Sequence, residues 1–195
     1  EQGFDVHLTA KDATFGGATH FAVRQATIAA SGFVGGGHSS IQGNVQAQGI
    51  SYGSLFIGSA AGQANIVNGR GTFNGSLSGR RGSQFDLQLS GDIAPDRIAA
   101  AARGHYGGQT ITMPRRAVLV KQPDGSWQLQ KTQMTFGGGI AIAEGQFGGA
   151  HGTQMSLSLA KLPLTLADMG CADLGLGGSI SGSVDFHTGQ RGAPT

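Results

Sequence analysis

Apolar and polar residues alternate with a period of two along most of this chain. In the first segment, Phe4, Val6 and Leu8 alternate with polar neighbours. Successive side chains of a β-strand point to opposite faces of a sheet, so this period predicts strands with one apolar face. The later segments have their apolar positions at Ile41, Val45 and Ala47; Phe85, Leu87 and Leu89; Ile111 and Met113; Trp127 and Leu129; Met134 and Phe136; Ile140 and Ile142; Met155, Leu157 and Leu159; Leu174, Leu176, Ile180, Val184 and Phe186. The pattern predicts an all-β, mostly antiparallel fold.

Glycine-rich connections separate these segments. Residues 35–37, 137–139 and 148–149 are runs of glycine, which are typical of turns or bulges because glycine accepts positive φ angles. Residues 122–126 read Gln-Pro-Asp-Gly-Ser, in which proline presets φ for a turn and glycine follows it. We expect this turn to join a strand at 117–120 to a strand at 127–129 as a hairpin.

Two short segments have the composition of helices. Residues 92–103 contain an alanine run, and alanine is the strongest helix former, while Gly104 can end such a helix. Residues 162–169 contain three leucines and a methionine, with Pro163 near the start. Helices of this length are unstable in isolation, so we expect both to pack on the sheet or to close one of its ends.

Composition and charge narrow the possible classes of protein. The chain has 36 glycines, only 5 prolines, 12% charged and 38% hydrophobic residues, and a net charge of +2. The glycines lack the strict period of collagen, and the apolar residues are too patterned for a disordered chain. The basic residues are scattered, whereas nucleic-acid-binding proteins cluster them, so no nucleic-acid partner is expected. A single cysteine, Cys171, excludes an internal disulfide framework.

No motif in the sequence supports catalysis. The histidines show no paired spacing with carboxylates of the kind that binds a metal, and Glu1 and Glu144 are the only glutamates. Residues 49–53 match G-x-S-x-G, but a nucleophile elbow needs a helix directly afterwards and a strand-like run follows here. We therefore expect a protein that is not an enzyme and that has no cofactor and no metal site.

Two stretches in the second half of the chain carry the most distinctive motifs. The first stretch, residues 105–149, begins within Arg-Gly-His-Tyr-Gly at 103–107. It contains Asp-Gly-Ser-Trp, Met-Thr-Phe-Gly-Gly-Gly and Glu-Gly-Gln-Phe-Gly-Gly. Residues 162–166 read Leu-Pro-Leu-Thr-Leu, and a strand alternating leucine or isoleucine with glycine follows at 174–184. This combination is similar to the TamB family, the translocation and assembly module proteins of Gram-negative bacteria, which are related to AsmA-like and bridge-like lipid transfer proteins.

The resemblance implies a segment of a longer periplasmic protein that is anchored to the inner membrane outside this chain. In such proteins a curved sheet forms an open gutter, whose apolar concave face shields phospholipid acyl chains on their way between the two membranes. Neighbouring gutter modules and an outer-membrane barrel partner, contacted through other parts of the parent, are implied as well. The implied groove residues are Phe4, Val6, Leu8, Phe85, Leu87, Leu89, Ile111, Met113, Trp127, Leu129, Met134, Phe136, Ile140, Ile142, Phe147, Met155, Leu157, Leu159, Ile180, Val184 and Phe186.

A closed structural domain is the main alternative. A β-helix or β-sandwich of a passenger or adhesin would show the same alternation, because a sealed core needs the same apolar phase. Weak internal echoes, such as Thr-Phe-Gly-Gly at 14–17 and 135–138, suggest two related modules at 1–91 and 92–195. Under the main interpretation, we expect residues 1–195 to form a single β-gutter segment, within which these two modules are possible.

Overall fold

A computed structural model of the chain describes residues 2–16, 21–148, 152–170 and 174–188. The described strands form one antiparallel sheet of 13 strands, which confirms the predicted fold class. The strands are β1 (Gln2–Phe15), β2 (Phe21–Gly35), β3 (His38–Tyr52), β4 (Leu55–Val67), β5 (Arg70–Arg81), β6 (Ser83–Ala94), β7 (Arg97–Tyr106), β8 (Gln109–Arg115), β9 (Ala117–Lys121), β10 (Trp127–Phe136), β11 (Gly139–Phe147), β12 (Gln154–Pro163) and β13 (Ser179–His187).

Neighbours in sequence are neighbours in the sheet along almost the whole chain. The order runs from β1 to β8 and continues through β10, β11, β12 and β13. The short strand β9 pairs with both β7 and β10, so β8 and β9 together fill the space between those two strands. Such a meander needs only local connections, which fits the tight turns that the sequence predicts.

Two-residue turns join several of the hairpins. Residues 36 and 37 have φ angles of 61° and 79°, and residues 137 and 138 have φ angles of 53° and 84°. Positive φ at both central positions matches the right-handed twist of the flanking strands and favours glycine there. The predicted glycine turns are confirmed at these two places, while residue 149 of the third glycine run lies outside the described residues.

The predicted hairpin around Pro123 is also confirmed. Leu119 of β9 pairs with Leu129 of β10. In the turn, Asp124 Oδ1 accepts hydrogen bonds from the backbone N–H of Ser126 at 2.9 Å and from its hydroxyl at 2.7 Å. Ser126 is fully buried, so these bonds lock the turn in one conformation.

The predicted helix at 92–103 is wrong. Strand β6 continues to Ala94, a turn follows at residues 95–96, and β7 begins at Arg97. Ile93 pairs with Ile98 across this turn, and Ala99 is completely buried. Paired strands on both sides supply hydrogen bonds along β7, and this tertiary environment outweighs the intrinsic preference of alanine for helix.

The predicted helix at 162–169 is confirmed from Leu164 onwards, but its first two residues belong to a strand. Strand β12 extends through Pro163, a 3-10 helix spans Leu164–Leu166, and a single α-helical turn, α1 (Ala167–Gly170), follows. Leu166 packs against the buried cluster of the sheet. The segment therefore closes one end of the sheet, as expected of a short helix that is unstable alone.

Bulges in four strands keep the apolar residues on one face. In β4, Ile57 pairs with Gly79 and Ser59 with Ser78, so Gly58 is an extra residue that reverses the phase of the strand. Shifts of the same kind occur in β8, in β10 and in β12, where Lys161 has a φ of 49°. A bulge also bends and twists its strand, so these sites shape the sheet.

The closed core is small for a chain of this length. In the described part of the chain, eight hydrophobic residues are buried, and five of them form one cluster: Phe85, Tyr106, Ile111, Phe136 and Leu162. The solvent-accessible surface is 12044 Å², about 1.4 times the area expected of a globular monomer of this mass. The sheet is therefore mostly a single layer.

Candidate functional site

One face of the sheet is apolar from the first strand to the last. Residues that pair directly in antiparallel strands share a face, so the register traces each row of side chains across the sheet. One such row crosses twelve strands without a polar residue: Phe4, Gly32, Ile41, Ile66, Gly71, Ile93, Ile98, Leu119, Leu129, Gly145, Met155 and Phe186. We call the face that carries this row the apolar face, and the opposite one the polar face.

Most of the predicted groove residues lie together on the apolar face. The pairing register connects Phe85 to Tyr106, Ile111 to Phe136, and Leu157 to Val184, all on this side. Its predicted members are Phe4, Val6, Leu8, Phe85, Leu87, Leu89, Ile111, Trp127, Leu129, Met134, Phe136, Phe147, Met155, Leu157, Leu159, Ile180, Val184 and Phe186. The geometry thus unites residues from both ends of the chain.

Ile140 and Ile142 are corrections to the predicted set. Ile140 pairs with Thr135 and Ile142 with Gln133, on the polar face. The reason is the two-residue turn that precedes β11: Phe136 pairs directly with Gly139, so the next residue must point to the opposite side. The length of that turn is visible in the sequence and is the signal that could have placed both isoleucines correctly.

Met113 does not occupy a regular position on the apolar face. It lies in the bulge of β8, between the pair of Thr112 with Thr135 and the pair of Arg115 with Gln133. Its sulfur accepts a hydrogen bond from the backbone N–H of Ala102 at 3.2 Å. Met113 therefore satisfies a backbone amide where β7 and β8 separate.

The apolar face also contains residues that the sequence analysis did not assign to a groove. Ile41 and Val45 belong to an alternating segment but were left out of the groove set. Others lie in β2, β3, β4, β5 and β7: Ile28, Ile50, Ile57, Ile66, Phe73, Leu77 and Tyr106. Period-two alternation read separately on each side of Gly49 and Gly58 would have found the residues in β3 and β4.

The apolar face is closed where the segment around Leu166 packs on it and open elsewhere, including at Leu89 in the central strand β6, which is 46% exposed. Phe136 and Tyr106 are 1% and 2% exposed, beneath the segment that contains Leu166. Leu8 in β1 is 57% exposed and Val184 in β13 is 60% exposed, although both are large and apolar. Exposed apolar area of this extent, with no second sheet over it in the described ranges, is typical of a binding surface.

Glycines on the apolar face lie opposite large rings. Phe4 pairs with Gly32, where an added Cβ would come within 2.9 Å of the phenylalanine ring. Phe85 pairs with Gly79 in the same manner, and an added Cβ there would also lie 2.9 Å from the ring. The rings therefore lie over neighbouring glycines, which explains why glycine is frequent on the apolar side of this sheet.

The polar face carries hydroxyl and amide side chains with few charges. Asp92 holds two of the arginines, Arg97 at 2.7 Å and Arg116 at 2.8 Å, and His105 lies 3.2 Å from Asp86. Three shallow depressions are lined mainly by residues of this face, together with neighbours from the apolar face such as Val45, Leu89 and Phe85. The predicted concave curvature of the apolar face stays a prediction.

The residues considered for metal binding and nucleophilic chemistry are spread over the sheet in the described ranges. No group of three or more His, Cys, Asp or Glu side chains comes together there to hold a metal; Cys171, His20 and His151 lie outside those ranges. The G-x-S-x-G match at residues 49–53 lies at the end of β3, and strand β4 follows it in place of a helix. Burial raises the pKa of the Tyr106 phenol, whose hydroxyl donates to the carbonyl of Arg81 at 2.8 Å.

The helical segments of the chain are short. Within the same ranges, neither helical segment has the length or hydropathy of a bilayer-crossing helix. No protein-family model matches the chain, and the searches of curated proteins and of solved structures produced no match either.

Proposed function

We propose that this chain shields the acyl chains of lipids on the apolar face of its sheet. In the fuller form of this proposal, it is a periplasmic segment of a TamB-like protein that carries phospholipids between the inner and outer membranes and supports outer-membrane protein assembly. The broader proposal rests on the sequence motifs at 103–149 and 162–184. The lipid-shielding part rests on the sheet itself.

The observation that carries the proposal is the unbroken apolar row from Phe4 to Phe186. It crosses the whole sheet, and large members at both ends are solvent-exposed: Phe4 is 38% and Phe186 46% exposed. A soluble protein seldom leaves such a surface in water, because each Å² of exposed apolar area costs about 25 cal/mol. A partner without hydrogen-bonding groups is therefore expected to cover it.

Acyl chains fit the chemistry of this face. The row offers only apolar side chains and glycine, so it can bind a ligand by contact area without selecting hydrogen-bond geometry. Each methylene transferred from water to such a surface contributes about 0.8 kcal/mol, so part of one lipid tail gives substantial binding. An acyl chain also has no polar groups that burial would leave without partners.

A closed passenger domain is less consistent with this sheet. All pairings between described strands are antiparallel, whereas the coils of a β-helix stack in parallel. A sandwich would place a second sheet on the apolar face, and the described strands form one sheet. The alternative then requires another protein surface to seal the face.

Photo-crosslinking distinguishes lipid from protein on the apolar face. A photoreactive amino acid placed at Leu8 or Val184 samples the exposed ends of the face, and placed at Thr9 or Ser183 it samples the polar face one residue away. The chain is expressed in the periplasm of a Gram-negative bacterium, irradiated and analysed by mass spectrometry. We expect phospholipid adducts at Leu8 and Val184 at least about fivefold above those at Thr9 and Ser183, because the faces alternate with every residue.

Two outcomes would contradict the proposal. Equal labelling at all four positions would mean that lipid contacts the sheet without preference for a face. Protein adducts without lipid at Leu8 and Val184 would show that another polypeptide covers the apolar face, which would support the alternative of a sealed structural domain.

A further inference from the structure

A groove lined mainly by polar-face residues crosses the sheet. Uncharged amides are the commonest polar side chains in it, and Val45 and Leu89 of the apolar face also contribute to its lining. Two adjoining depressions, with volumes of about 810 Å³ and 600 Å³, share Asn44, Gln63 and Asn74. Together they extend from Asp5 in β1 to Thr112 in β8. We call this region the amide groove, defined by Asn44, Gln46, Gln63, Asn74, Ser76 and Gln88. Its size is in the range of sites that bind ligands.

The register of the sheet arranges these amides in two parallel rows. Asn44, Gln63 and Asn74 pair directly across β3, β4 and β5. In the neighbouring row, Gln46, Ala61, Ser76 and Gln88 pair across β3 to β6. Adjacent strands lie about 4.8 Å apart, so the groove presents amide or hydroxyl groups at regular intervals across the strands. The small side chain of Ala61 leaves space between its longer neighbours.

The central amides are available to a ligand. Asn44, Gln63 and Asn74 are exposed, and in the part of the chain that the structure describes none of them forms a side-chain hydrogen bond to another residue. Each carboxamide offers two N–H donors and one acceptor oxygen. The central row thus offers hydrogen-bond donors and acceptors at Asn44, Gln63 and Asn74, and it carries no fixed charge at these three positions.

We propose that the amide groove binds a neutral glycan chain. Sugar hydroxyls both donate and accept hydrogen bonds, which matches side chains that do the same. The one cation in the second row, Arg103, already donates to Gln88 at 2.9 Å, so the groove lacks the cluster of cations that a phosphate chain needs. A peptide strand would need unpaired backbone groups, but strands β3 to β6 are paired on both sides.

This inference is independent of the proposed lipid function, because the two sites lie on opposite faces. Its test is isothermal titration of the full chain with two neutral hexasaccharides, cellohexaose and chitohexaose. We expect at least one of them to bind with a dissociation constant of about 1 mM or tighter. The double variant Gln63→Ala, Asn74→Ala should weaken that binding about tenfold, because it removes several hydrogen-bonding groups.

The chain offers a matched control on the same face. Gln25 and Gln48 pair with each other outside the groove, so the double variant Gln25→Ala, Gln48→Ala should bind within about twofold of the unaltered chain. Asn74→Asp, which keeps the side-chain size but removes the donors, should also weaken binding. The proposal is overturned if neither hexasaccharide binds at about 10 mM, if both double variants lose binding equally, or if a sulfated heparin hexasaccharide binds more tightly than the neutral ones.

Discussion

Thr112 and Thr135 join their hydroxyl groups at 2.6 Å across β8 and β10, on the polar face of the sheet. The adjacent pair, Ile111 with Phe136, lies on the apolar face, where the two residues are 4% and 1% exposed. A shift of one position in either strand would exchange these environments. The role of a residue in this sheet is therefore decided by its phase in the strand.

Truncation of Phe136 should be far more damaging than truncation of Phe186. Both rings belong to the apolar face, but Phe136 is 1% exposed and Phe186 is 46% exposed. Phe136→Ala should lower the free energy of unfolding by about 3–5 kcal/mol, because it leaves a cavity in the buried cluster. Phe186→Ala should cost less than about 1 kcal/mol in urea unfolding. Equal losses would mean that a partner or a second copy covers β13 under the assay conditions.

Gly91 should not tolerate a side chain, whereas Gly182 on the same face should. An added Cβ at Gly91 would collide with the ring of Phe73 and the carbonyl of Ala99, whereas at Gly182 it would meet no atom within 4 Å. Gly91→Ala should destabilise the chain by about 1–3 kcal/mol through overpacking. Gly182→Ala should be neutral or stabilising by up to about 1 kcal/mol. Thermal unfolding of both variants would check this, and a neutral Gly91→Ala would contradict the ring-over-glycine arrangement.

The turn between β9 and β10 should depend on the carboxylate oxygen of Asp124. Asp124→Ala removes both hydrogen bonds to the buried Ser126 and should cost about 1–3 kcal/mol of unfolding free energy. Asp124→Asn retains an acceptor oxygen and should cost less than about 1 kcal/mol. The hydroxyl of Ser126 also accepts from Gln146 at 2.8 Å, so hydrogen exchange at residues 126 and 146 should increase only in the alanine variant. Indistinguishable variants would show that the side-chain acceptor does not hold the turn.

Alkaline pH should destabilise the chain partly through Tyr106. Burial raises the pKa of this phenol above its ordinary value of 10.0, so the unfolded chain loses the proton at a lower pH than the folded chain. Stability from this group is therefore intact below about pH 10 and declines as the pH rises through the folded-state pKa. Urea midpoints should fall more steeply above about pH 10 for the unaltered chain than for Tyr106→Phe.

The phenylalanine variant has a second expected effect. It leaves the carbonyl of Arg81 without its hydroxyl partner, so it should be less stable by about 1 kcal/mol at neutral pH. Parallel pH profiles for the two chains would contradict the predicted role of Tyr106 in alkaline unfolding.

Local pattern was sufficient where a strand is regular and its turn is short. The alternation at Phe4, Val6 and Leu8, or at Met155, Leu157 and Leu159, places each set on one face, as the structure has it. The glycine pairs at 36–37 and 137–138 likewise mark two-residue turns. These features depend only on the two-residue period of a strand and on the φ angles that glycine accepts, and both are properties of neighbouring residues.

Local pattern failed where neighbouring strands decide the outcome. Residues 92–103 form a turn and a strand because β6 and the strands β8 and β9 bond to both sides of β7. Ile140 and Ile142 lie on the polar face because the phase of β11 is set by its pairing with Phe136 across the turn, and Met113 is diverted by a bulge. Alternation defines two faces within one strand but does not relate them to the faces of the next.

The order of apolar and polar residues along the chain is enough to predict an antiparallel β-structure in which each strand has one apolar and one polar side. That these sides join into one continuous surface is visible only in the folded sheet, where bulges at Gly58, in β8, in β10 and at Lys161 restore the common phase after each interruption. The folded structure also shows that the side chain of Phe136 is buried, whereas that of Val184 is exposed to solvent. Burial depends on what lies above a residue, and Leu166 packs against the cluster that contains Phe136.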